Sequence, residues 1–571
     1  MNNILKYLGI ILSKKEKRRF LLVLGGTFFV GLLETVSIGS LVGYLLVISE
    51  PEVLLSKIEI KFIYYLLSNL DHKDLIIYSS VVLVFIFIFK NIIQMFFHFM
   101  EINFIKKIQI KFTKNIFKIF LLKPYIFHVN QNSSISINTI LNETKRASDY
   151  IYNILMISRE VIILIFLIIL MMIVNIKLSF FLSLMMILSS IIFYVSVSKS
   201  IKKLGTKVRK KSEKILKNLT ESILSIKIIK LINKNNFFVK ILIDEMHEKK
   251  KIEVMHNMIG RIPKFFLEIL SVIVVIFILL FFLYQEKSIQ EAMPTLSLIV
   301  LIIIRTMPAY VSINTNLNNT KYNSVAFNNT CSTILHGDNQ EEKNKIKIDA
   351  DHKIEIKISD IDFAYNDKMI LRNISKEFKI GKIFAIKGVS GSGKTTLLNL
   401  ILGLLTPTKG EIFINDKKLD SNFISTYDLF SYVPQDIYLL DTSIAENIAI
   451  GVEENDIDYD LINKIINDLD LRDFINELSN GIKTSVGDKG VKISGGQRQR
   501  IGIARALYSN PKVIILDEAT NAMDSDLEDK VLDYLNKLKE KKIIILVSHN
   551  NKILNKCDEI IKISEGKINK I

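Results

Sequence analysis

Cysteine is scarce in this chain. Its 571 residues contain two, Cys331 and Cys557, which lie far apart and match no spacing of metal ligands. This scarcity argues against a disulfide framework and fits a reducing cytoplasm.

The chain also lacks an aromatic platform for stacking bases and a basic recognition helix. Its net charge is nevertheless +17. Many of the basic residues flank long apolar stretches, which is the pattern of a membrane protein with positive cytoplasmic loops. These residues include Lys14, Lys15, Lys17, Arg18, Arg19, Lys106, Lys107, Lys111, Lys114, Lys199, Lys202 and Lys203. The charge therefore indicates a membrane protein and argues against nucleic-acid binding.

No small-residue cleavage site closes the N-terminal segment, and its charges follow the apolar patch rather than precede it. We therefore expect Met1 to Ser13 to form a cytoplasmic surface helix, with the N-terminus inside. Internal repeats and low-complexity segments are absent from the sequence as well.

Long apolar segments fill the first ~320 residues, each near or above the ~20 residues needed to cross a bilayer. The predicted spans are 20–48, 74–100, 152–174, 178–198, 262–284 and 293–315. The polar, lysine-rich stretches 101–150 and 199–260 are predicted to be cytoplasmic extensions of helices. The sequence thus predicts a six-span α-helical transmembrane domain over 1–330, a linker over 331–350 and a soluble domain over 351–571.

Three polar segments have two interpretations each. Tyr125–Asn142 and Glu221–Asn235 are either turns that contact the soluble domain or simple surface loops. Lys57–Leu70 is too short and too charged to span, so it is either an amphipathic helix on the outer leaflet or an ordered loop.

The soluble domain changes to short alternating strands and turns, beginning with Ile354–Ile358, which predicts an α/β fold. Gly388–Thr396 fits Gly-x4-Gly-Lys-Ser/Thr, in which backbone N–H groups and a helix N-terminus bind phosphates. Lys394 would contact the β- and γ-phosphates, and the hydroxyl of Thr395 would face Mg²⁺. The predicted nucleotide contacts in this loop are Gly388, Ser390, Gly391, Ser392, Gly393, Lys394, Thr395 and Thr396.

Two carboxylates follow the apolar strand Val513–Leu516. Asp517 is placed to hold the metal, and Glu518 is placed to polarise the attacking water. The alternative, a helix cap, is disfavoured because a phosphate loop precedes the pair at a suitable distance.

Ile493-Ser-Gly-Gly-Gln497, followed by Arg498-Gln-Arg500, resembles the signature of the ATP-binding cassette (ABC) superfamily. The resemblance covers 354–571 and implies that Ser494, Gly495, Gly496 and Gln497 contact the nucleotide of a second subunit, so that one cassette per chain implies a homodimer. It also implies an adenine-stacking role for Tyr365, Mg²⁺ sensing by Gln435 and a γ-phosphate contact by His549. Thr484–Gly490 resembles an element of cassette exporters.

Asn521-Ala-Met-Asp524 resembles the loop that links the two sites, although Asn521 and Met523 replace the commoner Ser and Leu, and Ile493 replaces the commoner Leu. Because Glu518 and His549 are retained, both composite sites of the dimer are expected to hydrolyse ATP.

Ionisable residues inside spans are costly and are therefore candidates for function. Lys90, Lys264 and Arg305 place a base in each of three spans and would suit a phosphate or pyrophosphate group. The alternative is that the acids Glu34, Glu160 and Glu268 pair with bases and lock helices together, or that long basic chains reach the interface.

A closer resemblance is to the PglK family, the bacterial lipid-linked oligosaccharide flippases of protein N-glycosylation. It rests on Leu33–Thr35, Phe89-Lys90, Pro263–Glu268, Arg305–Pro308 and Tyr432–Leu440, although Lys90 and Lys264 stand where arginine is expected. It implies ATP-driven transfer of a polyprenyl-pyrophosphate-linked oligosaccharide across a bacterial inner membrane. An exporter of lipids or hydrophobic drugs, a peptide exporter and an ATP-gated channel remain as alternatives.

Overall fold

The computed structural model describes residues 13–49, 71–174, 176–284, 289–337, 354–366, 368–419, 429–487 and 490–569. The predicted outer-leaflet helix over 57–70 lies outside these ranges. The chain divides into two compact units, the first comprising Met1–Lys123 with Asn130–Asn339 and the second Pro124–Val129 with Gln340–Ile571.

The first unit is helical throughout its described part. Its long helices are α1 (Lys14–Ser49), α2 (His72–Leu122), α5 (Thr144–Val174), α6 (Ile176–Leu224), α8 (Asn235–Tyr284) and α9 (Ile289–Gly337). The short helices α3 (Tyr125–Asn130), α4 (Ser133–Asn138) and α7 (Ile226–Leu231) connect them, and a π-helical turn, Thr139–Glu143, leads into α5.

Length and apolar composition indicate which of the described helices can cross a membrane. Within the described residues, four helical stretches are long and apolar enough to cross a bilayer, namely Lys14–Leu41, His72–Leu122, Ser133–Leu170 and Ser183–Leu224. On α2, Phe85 and Phe89 are more than half exposed, as expected of side chains that face lipid. The predicted spans 262–284 and 293–315 lie within α8 and α9, and the count of six remains a prediction.

The polar extensions begin as continuations of the long helices, as predicted, and the short helices α3, α4 and α7 interrupt them. Helix α2 runs on to Leu122 and α6 to Leu224. A core of apolar side chains from α2, α5 and α9 packs this region, and Tyr150 stacks on Phe327 with ring centroids 4.4 Å apart. Helix α9 continues to Gly337, so that residues 331–337 of the predicted linker are helical.

The second unit has the predicted α/β fold. Its described strands are β1 (Glu355–Tyr365), β2 (Lys368–Lys379), β3 (Ile383–Lys387), β4 (Lys409–Ile414), β5 (Lys417–Lys418), β6 (Phe430–Val433), β7 (Val513–Asp517), β8 (Ile543–Val547), β9 (Glu559–Ser564) and β10 (Lys567–Asn569). Its helices are α10 (Lys394–Ile401), α11 (Ile444–Ile448), α12 (Tyr459–Asp468), α13 (Arg472–Asn476), α14 (Gly495–Tyr508), α15 (Ser525–Leu538) and α16 (Asn551–Asn555).

The described strands form two sheets. The antiparallel sheet has the order β2-β1-β4-β5, and the larger sheet has the order β10-β9-β3-β8-β7-β6 with parallel pairing from β9 to β6. The central strands β7 and β8 are buried along their whole length, which explains their continuous runs of Ile, Leu and Val. Because parallel strands end at one edge of the sheet, the loops after β3, β6, β7 and β8 meet there.

One segment outside the cassette sequence belongs to this unit. Pro124–Val129 is grouped with it, and Ile126 packs against the core that surrounds β1, β3 and α10. These residues lie in the segment Tyr125–Asn142, for which the sequence left open a turn that contacts the soluble domain or a simple surface loop. The packing of Ile126 favours the contact.

Candidate nucleotide site

The phosphate loop joins β3 to α10. Gly391 and Gly393 have φ angles of +77° and +103°, which favour glycine and turn the backbone toward the helix N-terminus. The ammonium of Lys394 donates to the carbonyl oxygens of Gly388 at 2.7 Å and Val389 at 3.2 Å. The hydroxyl of Ser392 is buried and has no hydrogen-bond partner within the described part of the chain. The loop therefore offers a lysine and a hydroxyl to a phosphate.

Metal-binding oxygens lie beside this loop. The Thr395 hydroxyl is 3.5 Å from Oδ2 of Asp517 at the end of β7, and the Tyr432 hydroxyl donates to the same oxygen at 3.1 Å. Burial raises the pKa of Asp517, and the hydrogen bond from Tyr432 partly opposes that rise. A hydroxyl, a carboxylate and the phosphates themselves are the ligands that Mg²⁺ takes in such sites. These residues fit Mg²⁺.

Glu518 lies at the centre of a hydrogen-bonded cluster. Gln435 and Asn521 donate to its Oε2 at 2.8 and 3.0 Å, and Nε2 of His549 lies 3.2 Å from its Oε1. Glu518 itself has a φ of +51°, an uncommon conformation for a residue with a side chain. Three loops from β6, β7 and β8 thus direct their polar groups to one carboxylate.

Two members of this constellation were not predicted as site residues. Tyr432 stands three residues before Gln435, and Asn521 stands three residues after Glu518. Their positions next to recognised motifs were the available signal. Only the fold shows that their side chains reach the carboxylates.

Tyr365 ends β1, and its ring packs edge-on against Phe363 with centroids 4.9 Å apart. Burial raises its pKa, while a side-chain hydrogen bond to Thr396 acts in the opposite direction. The predicted adenine-stacking residue therefore lies beside the helix that follows the phosphate loop.

The signature segment forms the N-terminus of α14. Ser494 and Gln497 make a reciprocal capping box, in which Gln497 N–H donates to the Ser494 hydroxyl at 3.2 Å and Ser494 N–H donates to the Gln497 side chain at 2.8 Å. Ser494 is exposed at this helix end, and Gln497 is half-buried. Added Cβ atoms at Gly495 and Gly496 would lie 3.3 and 3.0 Å from atoms of Ala522, so glycine allows the linking loop to pack here.

Near the other end of α14, Arg505 contacts the loop after β6 and helix α11. Arg505 donates to the carbonyl oxygens of Asn447 and Tyr438 at 2.8 and 3.0 Å, and the Gln499 side chain accepts the N–H of Ala522 at 2.9 Å. The signature helix thus contacts two of the three loops that direct polar groups to Glu518. Of the predicted exporter element Thr484–Gly490, Ser485 donates to Asp441 at 2.9 Å, while residues 488 and 489 lie outside the described ranges.

The predicted substrate-binding bases have separate environments. Lys90 is buried and lies 3.2 Å from Glu34, with its ammonium 5.1 Å from the centroid of the Phe87 ring. Lys264 is half exposed and lies 3.6 Å from Glu268. The side chain of Arg305 is outside the described residues.

The intramembrane acids show the pairing that the sequence left open. Glu34 pairs with Lys90, Glu268 with Lys264, and Glu160 with Arg159 at 3.0 Å. Each of these three acids therefore lies next to a basic residue, and these contacts do not place the predicted substrate-binding bases in one cavity.

Two family models match the chain. The description "ABC transporter transmembrane region" matches residues 23–308, and "ABC transporter" matches residues 371–521. A solved bacterial Atm1-family ABC exporter with ATP bound has a similar fold, with a TM-score of 0.80 and 18% identity, covering 97% of this chain and 94% of that one.

Curated relatives match over a shorter stretch. A putative export ATP-binding/permease protein of Rickettsia typhi is 38% identical over 221 residues, which is 38% of either chain. ABC transporter B family member 17 of Arabidopsis thaliana is 40% identical over 220 residues, 38% of this chain and 18% of that protein. An ATP-dependent lipid A-core flippase of Francisella novicida is 37% identical over 216 residues, 37% of this chain and 36% of that protein. The matches span about two fifths or less of these relatives' length.

The matched models cover the helical unit and the nucleotide domain in the order that the fold shows, one of each per chain. The chain therefore belongs to the ABC transporters and has the arrangement of an exporter-type half-transporter with an ABC-type ATPase domain.

Proposed function

We propose that the protein is an ATP-driven exporter of a bacterial inner membrane, with both termini in the cytoplasm. The observation that carries this proposal is the meeting of Gln435, Asn521 and His549 on the carboxylate of Glu518, one residue from Asp517. A carboxylate held in this way is suited to accept a proton from a water molecule.

The residues have distinct roles in hydrolysis. Lys394 would leave the loop carbonyls and contact the β- and γ-phosphates of ATP. Thr395 and Asp517 would hold Mg²⁺, which would supply positive charge against the developing phosphate charge. Glu518 accepts the proton of the attacking water at a carboxylate oxygen. His549 and Gln435 orient Glu518; His549 would also respond to the γ-phosphate and Gln435 to Mg²⁺.

A homodimer completes the site in this proposal. The capped end of α14 lies at the surface, with Ser494 exposed and Gln497 half-buried. The tip of the α6–α8 hairpin also exposes apolar side chains, such as Ile226, Ile228 and Leu231, which are 52, 62 and 77% exposed. Exposed apolar side chains of this kind mark an interaction surface. A second copy of the chain is the partner that we assign to both surfaces.

The substrate that we propose is a polyprenyl-pyrophosphate-linked oligosaccharide. Its support is the PglK-like sequence in the spans, together with Lys264, whose half-exposed ammonium is accessible to an anionic group. Arg305 lies on the next helix of the chain and adds a second base. A pyrophosphate crossing the bilayer needs such cations because its charge is costly in hydrocarbon.

One observation favours a second candidate, an exporter of lipids or hydrophobic drugs. The buried ammonium of Lys90 already has Glu34 as its partner, so that this base need not meet a substrate anion. Such an exporter would share the cassette and would not depend on Lys264 or Arg305.

ATP hydrolysis by the reconstituted protein separates these candidates. A polyprenyl-pyrophosphate glycan should stimulate the parent enzyme, and Lys264→Ala and Arg305→Ala should each weaken that stimulation while basal hydrolysis stays unchanged. Lys251→Ala is the matched control, because Lys251 is exposed and pairs with Glu248 outside the predicted spans. Stimulation that both span variants retain would reject the glycan substrate in favour of the second candidate.

A further inference from the structure

A cavity in the helical unit opens at the surface of α1 and α2. Its volume is about 530 Å³, and its lining is almost wholly apolar. The lining residues are Arg18, Leu21, Leu22, Gly25, Gly26 and Phe97. The volume is within the range of small-molecule sites in proteins.

The two glycines give this cavity its shape. A Cβ atom at Gly26 would lie 2.2 Å from the ring of Phe97, so glycine lets that ring form the floor. A Cβ atom at Gly25 would meet nothing within 4 Å. The space beside Gly25 is therefore empty, and the exposed side chains of Leu21 and Leu22 form the walls of the cavity.

The one charged residue among the described residues of the cavity lining, Arg18, lies at one end of the cavity. Arg18 begins the lining, and Gly26 is eight positions further along α1, about 12 Å at the rise of an α-helix. Glu16, the acid nearest in sequence, pairs with Lys111 at 2.6 Å. Within the described part of the chain, no carboxylate lies within ion-pair distance of Arg18.

We propose that this groove binds an anionic phospholipid, with an acyl chain along Leu21 to Gly26 and the phosphate at Arg18. The guanidinium of Arg18 suits the phosphate of such a lipid, and the apolar groove beside it suits an acyl chain. Because one lipid tail gains little by replacing another in hydrocarbon, the selectivity comes from the contact between Arg18 and the phosphate. A phospholipid is thus a bound partner and not the exported substrate.

The absence of tryptophan from the chain makes a direct test possible. Leu21→Trp places a single fluorophore on the groove wall, and Phe85→Trp places one on the exposed face of α2 as a control. The full-length protein is reconstituted into bilayers that contain brominated phosphatidylglycerol or brominated phosphatidylcholine, and the relative association of the two lipids is taken from tryptophan quenching. A basic residue at a membrane surface is worth about a fivefold preference for an anionic lipid.

The proposal predicts about that preference at the Leu21→Trp reporter and a ratio near one at Phe85→Trp. Arg18→Gln should abolish the preference, whereas Arg19→Gln, next to it but outside the groove, should keep most of it. Gly25→Leu should reduce quenching at the reporter by filling the groove, and Gly43→Leu, also in open space on α1, should not. Equal quenching by both lipids, or a preference that survives Arg18→Gln, would overturn the proposal. Ordinary ATP hydrolysis by each variant shows that it is folded, and the quenching result does not depend on which substrate is exported.

Discussion

The buried ion pair between Lys90 and Glu34 should stabilise the helical unit by a measurable amount. Both side chains are buried, with exposures of 7 and 1%, and the two charged atoms lie 3.2 Å apart. Removing one member of a buried pair leaves the other charge uncompensated, at a cost of about 3–5 kcal/mol. Lys90→Met should therefore lower the apparent melting temperature by on the order of 5 °C.

The double variant Glu34→Gln/Lys90→Met removes both charges and keeps similar side-chain volumes. Replacement of both members of a buried pair is often nearly neutral, so the double variant should melt close to the parent. Lys264→Met is the matched control, since its pair with Glu268 is half exposed and such pairs contribute about 0–1 kcal/mol. Melting is measured at one scan rate in detergent and again in nanodiscs.

A Lys90→Met variant that melts like the parent would refute the structural role of the pair. A double variant that recovers its stability but loses stimulation by a pyrophosphate glycan would show that Lys90 also contacts substrate. The comparison thus separates the two interpretations of this lysine that the sequence left open.

Three predictions concern the nucleotide site. Glu518→Gln should lower kcat by about 10²–10⁴-fold and leave ATP bound, measured by turnover and by retention of labelled ATP; undiminished turnover would reject Glu518 as the base. Asn521→Ser shortens the side chain that donates to Glu518, and should lower kcat by on the order of tenfold with little change in KM, whereas an unchanged kcat would make that hydrogen bond incidental. Tyr432→Phe removes the hydrogen bond that lowers the pKa of Asp517, so that pKa should rise further and the acid limb of the Mg²⁺-dependent rate should move to higher pH. Tyr438→Phe changes an exposed tyrosine in the loop after β6 and should leave the profile unchanged; a profile that both variants share with the parent would contradict the assignment.

The cassette was largely predictable because its motifs are local. Each motif combines a turn with the start of a helix or the end of a strand, so that its chemistry is evident over a few residues. These motifs are Gly388–Thr396, Ser494–Gln497 and Asp517-Glu518. The contact from Asn521 to Glu518 was not predictable in the same way. It depends on the side-chain length of a residue that departs from the common pattern and on the left-handed backbone at Glu518.

The membrane unit was predictable in its helices and less so in its charges. Hydropathy placed the spans in α1, α2, α5 and α6 because hydrocarbon thickness sets their length. The partners of Lys90 and Lys264 depend on helix rotation and packing, which hydropathy does not determine. The buried cluster around Arg146 was missed for this reason: it donates to Glu143 at 3.2 Å and to the carbonyl oxygen of Tyr322 at 3.2 Å, joining α5 to α9.

Transport itself is the most direct test of the function assigned to this chain. The parent protein and Glu518→Gln are reconstituted into liposomes with a polyprenyl-pyrophosphate glycan, and the amount of glycan that reaches the opposite leaflet is followed after ATP is added. We expect ATP-dependent translocation by the parent and none by Glu518→Gln. Vigorous ATP hydrolysis without glycan movement would contradict the proposed substrate, and glycan movement that Glu518→Gln supports equally would contradict the ATP-driven mechanism.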